Sequence, residues 1–153
     1  MKNKIQIFPL TKEKFAEAVD LVLKTELDSR EEIEHHLIHL DAHYIAVDGN
    51  KILGVIGWYR DNENYATAAM GRDFPGIDAY WVGFFTVDKN YRGKGIGYSL
   101  LLKLEEVIKS KKAVKLWVSS VPETKAYYER QNFITVKKGF IGGNKKYFMV
   151  KSL

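Results

Sequence analysis

The chain has 153 residues, a formal net charge of +5 and no cysteine. Such a length fits a single domain, 1–153, that can bury its own core. The missing cysteines exclude disulfides, thiolate metal sites and a cysteine nucleophile, while the basic balance leaves an anionic cofactor, a nucleic acid or plain solubility open.

The N-terminus, Met1-Lys2-Asn3-Lys4, is basic, but no long apolar run or cleavage pattern follows. No apolar stretch is long enough to span a bilayer, so a cytoplasmic protein with no membrane partner is expected. Ile5 to Phe8 reads as a first strand. Thr11 is expected to cap a helix whose apolar positions Phe15, Ala18, Val19, Val22 and Leu23 recur at helical spacing. Ser29-Arg30-Glu31-Glu32 has the form of a capping box and opens a second helix through Ile33, Leu37 and Leu40. His35, His39 and His43 are spaced four apart, which suits one side of a helix. That spacing can hold a metal ion, but a solvated helix face explains it as well, and no metal is expected.

Tyr44 to Val47 and Ile52 to Tyr59 are apolar runs around Asp48-Gly49-Asn50-Lys51, a hairpin pattern. Residues 61–79 are irregular, and their Tyr65, Met70, Phe74 and Pro75 suit either a lid or a satellite core. Tyr80 to Val87 reads as one apolar strand, Ile96 to Ile108 as an amphipathic helix, and Ala113 to Val118 as a strand. The lysines of Lys109-Ser110-Lys111-Lys112 suit the C-terminal end of that helix. Glu123 to Arg130 reads as a short helix, and Phe133–Val136 and Tyr147–Val150 as strands joined around Gly142-Gly143-Asn144. Hairpins mixed with crossover helices give a mixed sheet and an α/β or α+β class.

The segment richest in chemistry is Val87-Asp88-Lys89-Asn90-Tyr91-Arg92-Gly93-Lys94-Gly95-Ile96-Gly97. It follows a strand and opens a helix, whose first turn offers unpaired N–H groups and partial positive charge to a phosphate. Its spacing fails the Walker A pattern and fits the dinucleotide fingerprint poorly, because no acidic residue ends the following strand. Arg92, Gly95 and Gly97 match Arg-x-x-Gly-x-Gly, and here the chain resembles the GNAT N-acetyltransferase family, over most of its length and in element order. The resemblance implies a GNAT-type acyl-CoA N-acyltransferase fold with about four helices flanking the sheet. It implies acetyl-CoA as co-substrate, with the pyrophosphate held along Arg92, Gly93, Lys94, Gly95, Ile96, Gly97 and Tyr98. Phe85, Thr86 and Val87 would then face the pantetheine arm.

Ala126-Tyr127-Tyr128-Glu129-Arg130-Gln131-Asn132-Phe133 resembles a late family helix, with Tyr128 on the family tyrosine, Phe133 on its phenylalanine and Asn132 in place of a glycine. Asn tolerates a left-handed helix end better than most residues. The resemblance makes Tyr128 the general acid toward the departing sulfur, with a backbone amide near Val87 on the oxyanion. A phenol of pKa about 10 can protonate a thiolate of similar basicity. The family's frequent asparagine, seven residues before the tyrosine, is Val121 here. Its frequent strand glutamate is also missing, since Trp81 and Gly83 fill the matching outward positions. Asp78, just before that strand, is the candidate base, ahead of Asp73 and Glu123.

The implied function is direct acetyl transfer from acetyl-CoA to a primary amine, of a small molecule on base rates. A protein or peptide N-acetyltransferase and a catalytically inactive acyl-CoA-binding module are the alternatives. A homodimer is compatible with the family. Nucleic acid is not an expected partner, because basic and aromatic residues do not share a face.

Overall fold

The structure, a computed structural model, describes residues 4–61 and 65–153. In chain order the elements are β1 (Gln6–Pro9), α1 (Phe15–Leu23), α2 (Arg30–Leu37), β2 (His43–Asp48), β3 (Lys51–Tyr59), α3 (Thr67–Met70), β4 (Trp81–Val82), β5 (Thr86–Val87), α4 (Ile96–Ser110), β6 (Lys115–Ser120), α5 (Lys125–Arg130), β7 (Ile134–Ile141) and β8 (Asn144–Ser152). The chain forms two compact units, Met1–Trp58 with Gly83–Glu106, and Tyr59–Val82 with Val107–Leu153. Parallel and antiparallel pairing both occur, as the mixed α/β class requires. Among the described residues, no helix is long and apolar enough to cross a membrane.

In the first unit β1, β2, β3 and β5 pair antiparallel in that order. The β2–β3 hairpin turns on Gly49 at φ 61° and Asn50, placing glycine where a two-residue turn needs a positive φ. The apolar stripe of α1 (Ala18, Val19, Leu21, Val22) and of α2 (Ile33, Leu37) meets Leu10, Ile45, Val47, Ile52 and Val55 in one core. Ser29 Oγ accepts from the Glu32 amide at 3.2 Å, as its capping pattern predicts.

Two boundaries differ from the sequence reading. Thr11 makes no side-chain cap bond; a 3₁₀ turn, Lys12–Lys14, intervenes before α1. The second helix stops at Leu37, and Leu40 lies in a separate 3₁₀ turn that delivers His43 to β2. Pairing of His43 with Gly57 overrides the helical spacing of the three histidines.

Helix α4 buries Ile96, Leu100, Leu101, Leu104 and Ile108, the face its periodicity predicts. Gly54 on β3 lets it close in: a Cβ there would stand 2.8 Å from Leu100 Cδ1 and 3.5 Å from Ile96 Cγ2. The helix ends with Lys112 at φ 65°, and the Ala113 and Lys112 amides return to the Ile108 and Lys109 carbonyls.

In the second unit β4 runs parallel to β6, with β8 and then β7 added antiparallel. Its core forms around fully buried Trp81, whose ring lies 5.6 Å from Trp117, 6.4 Å from Phe74 and 6.4 Å from Phe148. The described part of segment 61–79 supplies a satellite core: α3 buries Met70 and the next turn stacks Phe74 on Trp81. Buried Asp61 anchors its start by accepting the Tyr65 and Ala66 amides at 2.7 and 2.6 Å. The last hairpin is longer than expected. Gly142 and Gly143, at φ 57° and 81°, make a tight turn that carries the ladder to Ile141 and Asn144.

Candidate active site

The glycine loop lies in the first unit. Asp88 Oδ1 accepts the Asn90 amide at 3.0 Å, and the Tyr91 amide returns to the Asp88 carbonyl at 2.8 Å, so a tight turn ends the strand. Arg92 then extends, and its Nε donates to the Val87 carbonyl at 3.2 Å, pinning the loop entrance to the strand. Gly93 and Gly95 take φ of 77° and 81°, values that side chains resist, and a Cβ at either would meet nothing within 4 Å. The Gly95 carbonyl accepts the Ser99 amide at 3.0 Å and so begins α4. No amide from Arg92 to Tyr98 has a backbone acceptor among the described residues. Open space in front of a row of free donors at a helix start suits an anion.

Charge surrounds this loop. Lys94 Nζ lies 5.2 Å from the Tyr91 ring centre and Lys51 Nζ, from the β2–β3 turn, 4.9 Å. Lys51 was not singled out from sequence, because only the fold brings that turn to Tyr91. The Tyr98 side chain is exposed on the first turn of α4.

Phe85, Thr86 and Val87 do not continue a single strand from Tyr80. The predicted strand splits into β4 and β5, with Gly83, Phe84 and Phe85 irregular between them. Gly54 of β3 pairs with Val87 in the second piece, and the Gly57 carbonyl accepts the Gly83 amide ahead of it. Asp88 donates to the Leu53 carbonyl at 2.8 Å and Val55 pairs with Thr86, so alternation points the Val87 N–H away from β3. The sequence reading missed Gly54 and Gly57, though glycines inside a β-branched run signal a close approach or a bulge.

Tyr128 lies on α5, in the second unit, and is 7% exposed. Burial drives its phenol well above its ordinary pKa, with the neighbouring Tyr127 adding to the rise, so the group holds its proton. Before α5, the Ser120 hydroxyl donates to the Val121 carbonyl at 2.8 Å and lies 2.8 Å from Thr124 Oγ1, which spends these hydroxyls on the turn itself. Trp81, read as an outward position, is instead the centre of the second core, because its ring has four aromatic neighbours to stack on. Asp78 is 93% exposed and lies 3.9 Å from the Arg60 guanidinium. It lines a surface cavity of about 340 Å³ with Asp73, Tyr80, Val114, Lys115 and Trp117.

The model of the acetyltransferase (GNAT) family matches residues 7–133. Among solved structures, the NatC complex bound to Gag peptide and CoA is similar with TM-score 0.75 and 20% identity, over 98% of this chain and 99% of that one. Ard1 from Thermoplasma volcanium gives TM-score 0.76 at 9% identity, over 97% of each chain. N-acetylglutamate synthase from Neisseria gonorrhoeae, complexed with coenzyme A and L-arginine, gives 0.74 at 16%, over 99% of this chain and 34% of that one. At these identities the likeness is one of fold. No curated protein matches the sequence.

Proposed function

The chain belongs to the GNAT acetyltransferase family, and from that premise we propose that it moves the acetyl group of acetyl-CoA directly to a primary amine of a small molecule. The observation that carries this reading is the row of unpaired amides from Arg92 to Tyr98, opened by glycines at positive φ. Those amides would take the pyrophosphate, with Arg92 and Lys94 adding charge. The Val87 N–H, turned away from β3, would meet the pantetheine arm or the thioester oxygen. There it would stabilise the negative charge that develops during transfer.

When bound, acetyl-CoA supplies an activated acyl group. A C–N bond forms, the C–S bond breaks, the amine loses a proton and the departing sulfur gains one. In this reading Tyr128, held protonated by its burial, gives the proton to sulfur. Asp78 takes the ammonium proton, through water given its exposure. With no cysteine, a covalent acyl-cysteine step has no nucleophile.

The test is a calorimetric titration of the purified protein with acetyl-CoA and, in parallel, with adenosine nucleotide. Acetyl-CoA binding in the micromolar range, about −8 kcal/mol, lost when Gly95 is replaced, supports the reading. No binding by folded protein removes it. A panel of small amines beside peptides with free N-termini then decides the acceptor. Transfer to peptides alone would replace the small-molecule acceptor with a peptide one.

A further inference from the structure

Between β3 and the segment that carries Val87, one side of the ladder has an extra residue. Val55 pairs with Thr86, and two positions along β3 the Gly57 carbonyl accepts the Gly83 amide at 2.7 Å. Ile56 alone therefore faces both Phe84 and Phe85, which is a β-bulge. Its two anchors are glycine-flanked on β3, and a glycine within a strand has backbone freedom that an anchor must suppress.

His43 suppresses it. It pairs with Gly57 across β2 and β3, and its ring fills the place of the missing side chain. A Cβ at Gly57 would lie 2.2 Å from His43 Cδ2, 2.6 Å from Nε2 and 2.9 Å from the Ala42 carbonyl. The ring is 2% exposed, and its Nδ1–H donates to the His39 carbonyl at 2.9 Å, which fixes its orientation. His36, whose ring meets Phe84 edge to face at 5.4 Å, packs beside the same bulge. His36, His39 and Asp41 are the charged or titratable neighbours that act on His43.

We infer that His43 is a positioning residue: its imidazole clamps Gly57, the β3 glycine that anchors the Phe84–Phe85 bulge, and so sets where the Val87 amide meets the substrate. The effect on turnover rests on the acetyl-transfer reading; the clamp itself does not. Only a side chain with a flat ring and a donor reaching His39 does both parts of the task. An aliphatic residue of similar size would fill the space but leave the ring's orientation, and the His39 carbonyl, unheld.

The experiment measures amide hydrogen exchange at Gly83 by NMR, then steady-state kinetics, on the wild type, His43→Ala, His43→Gln and Val19→Ala. Val19 is fully buried in the same unit, so its truncation serves as a destabilised control. Gly83 exchange should quicken by about tenfold or more in His43→Ala relative to Val19→Ala. His43→Gln, whose amide can still donate to His39, should fall between them and carries the test should His43→Ala fail to fold. Turnover should drop about tenfold in His43→Ala, with KM for acetyl-CoA within about twofold. Gly83 exchange no faster in the His43 variants than in Val19→Ala overturns the proposal, whether or not the protein transfers acetyl groups. Faster exchange in a protein that acetylates no amine supports the clamp and sinks the acetyl-transfer reading alone.

Discussion

The Phe133 amide donates to the Tyr128 carbonyl at 3.0 Å, and the two rings meet edge to face with centres 5.3 Å apart. Between them Asn132 takes φ 71°, and its amide returns to the Glu129 carbonyl at 3.0 Å. This is a left-handed helix end with its paired backbone bonds and its apolar contact. The backbone that ends α5 thus also fixes the ring of the proposed acid. Asn132→Gly should leave stability unchanged or slightly higher, whereas Asn132→Val should cost about 1–2 kcal/mol. Phe133→Ala should cost about 3–5 kcal/mol, since Phe133 is 2% exposed. Chemical denaturation of the three variants checks the order.

Tyr128→Phe separates the ring from the hydroxyl. The contact with Phe133 survives, so the variant should still fold with its α5 end intact. If the phenol protonates the departing sulfur, kcat should fall by about 10²-fold or more while KM for acetyl-CoA changes little. Because burial raises this phenol above its ordinary value of 10.0, its ionisation should cause no alkaline loss of rate below about pH 10. Equal turnover in the variant removes Tyr128 from the chemistry.

Gly95 offers a test of the loop that does not depend on the acceptor. At φ 81° any L side chain is strained, and a Cβ there meets no protein atom within 4 Å. Gly95→Val should therefore lose about 1–2 kcal/mol of stability from the backbone alone. Its affinity for acetyl-CoA should drop by more than about tenfold, because the side chain fills the space before the amides. Gly49→Val is the control. It has φ 61° and equally open surroundings but lies at the β2–β3 turn, so it should share the stability loss and keep the affinity.

Local patterns carried much of this architecture into the sequence. The period of α4, the Ser29 cap and the glycine turn that opens α4 are each written within a few residues, so their local structure read correctly. Asn132 read as a left-handed helix end for the same reason. The strand 80–87 did not, because its split depends on which β3 residues it meets: Gly57 takes Gly83, and Gly54 and Val55 take Val87 and Thr86. Trp81 read as outward because strand alternation does not reveal that both faces are covered, here by Tyr59, Phe74, Trp117 and Phe148. His43 read as one of a helical set, since four-residue spacing persists in sequence after the helix has ended at Leu37.

The same histidine should make stability depend on pH. Burial lowers its pKa from 6.5 to about 4, with the His39 carbonyl opposing the fall. Between those two values the unfolded chain binds a proton at this site and the folded chain does not. Stability is therefore fully present above pH 6.5 and falls as the pH drops toward 4. A shift of this size corresponds to about 3 kcal/mol across the window. Thermal melts from pH 7 to 4 should show this loss, on top of that from other groups. His43→Gln cannot take up a proton, so its curve should be flatter over the same range, although its stability at pH 7 should be lower. Parallel curves for the two proteins would mean that His43 titrates alike in the folded and unfolded chains, and that its ring is not held in a site that excludes the charged form.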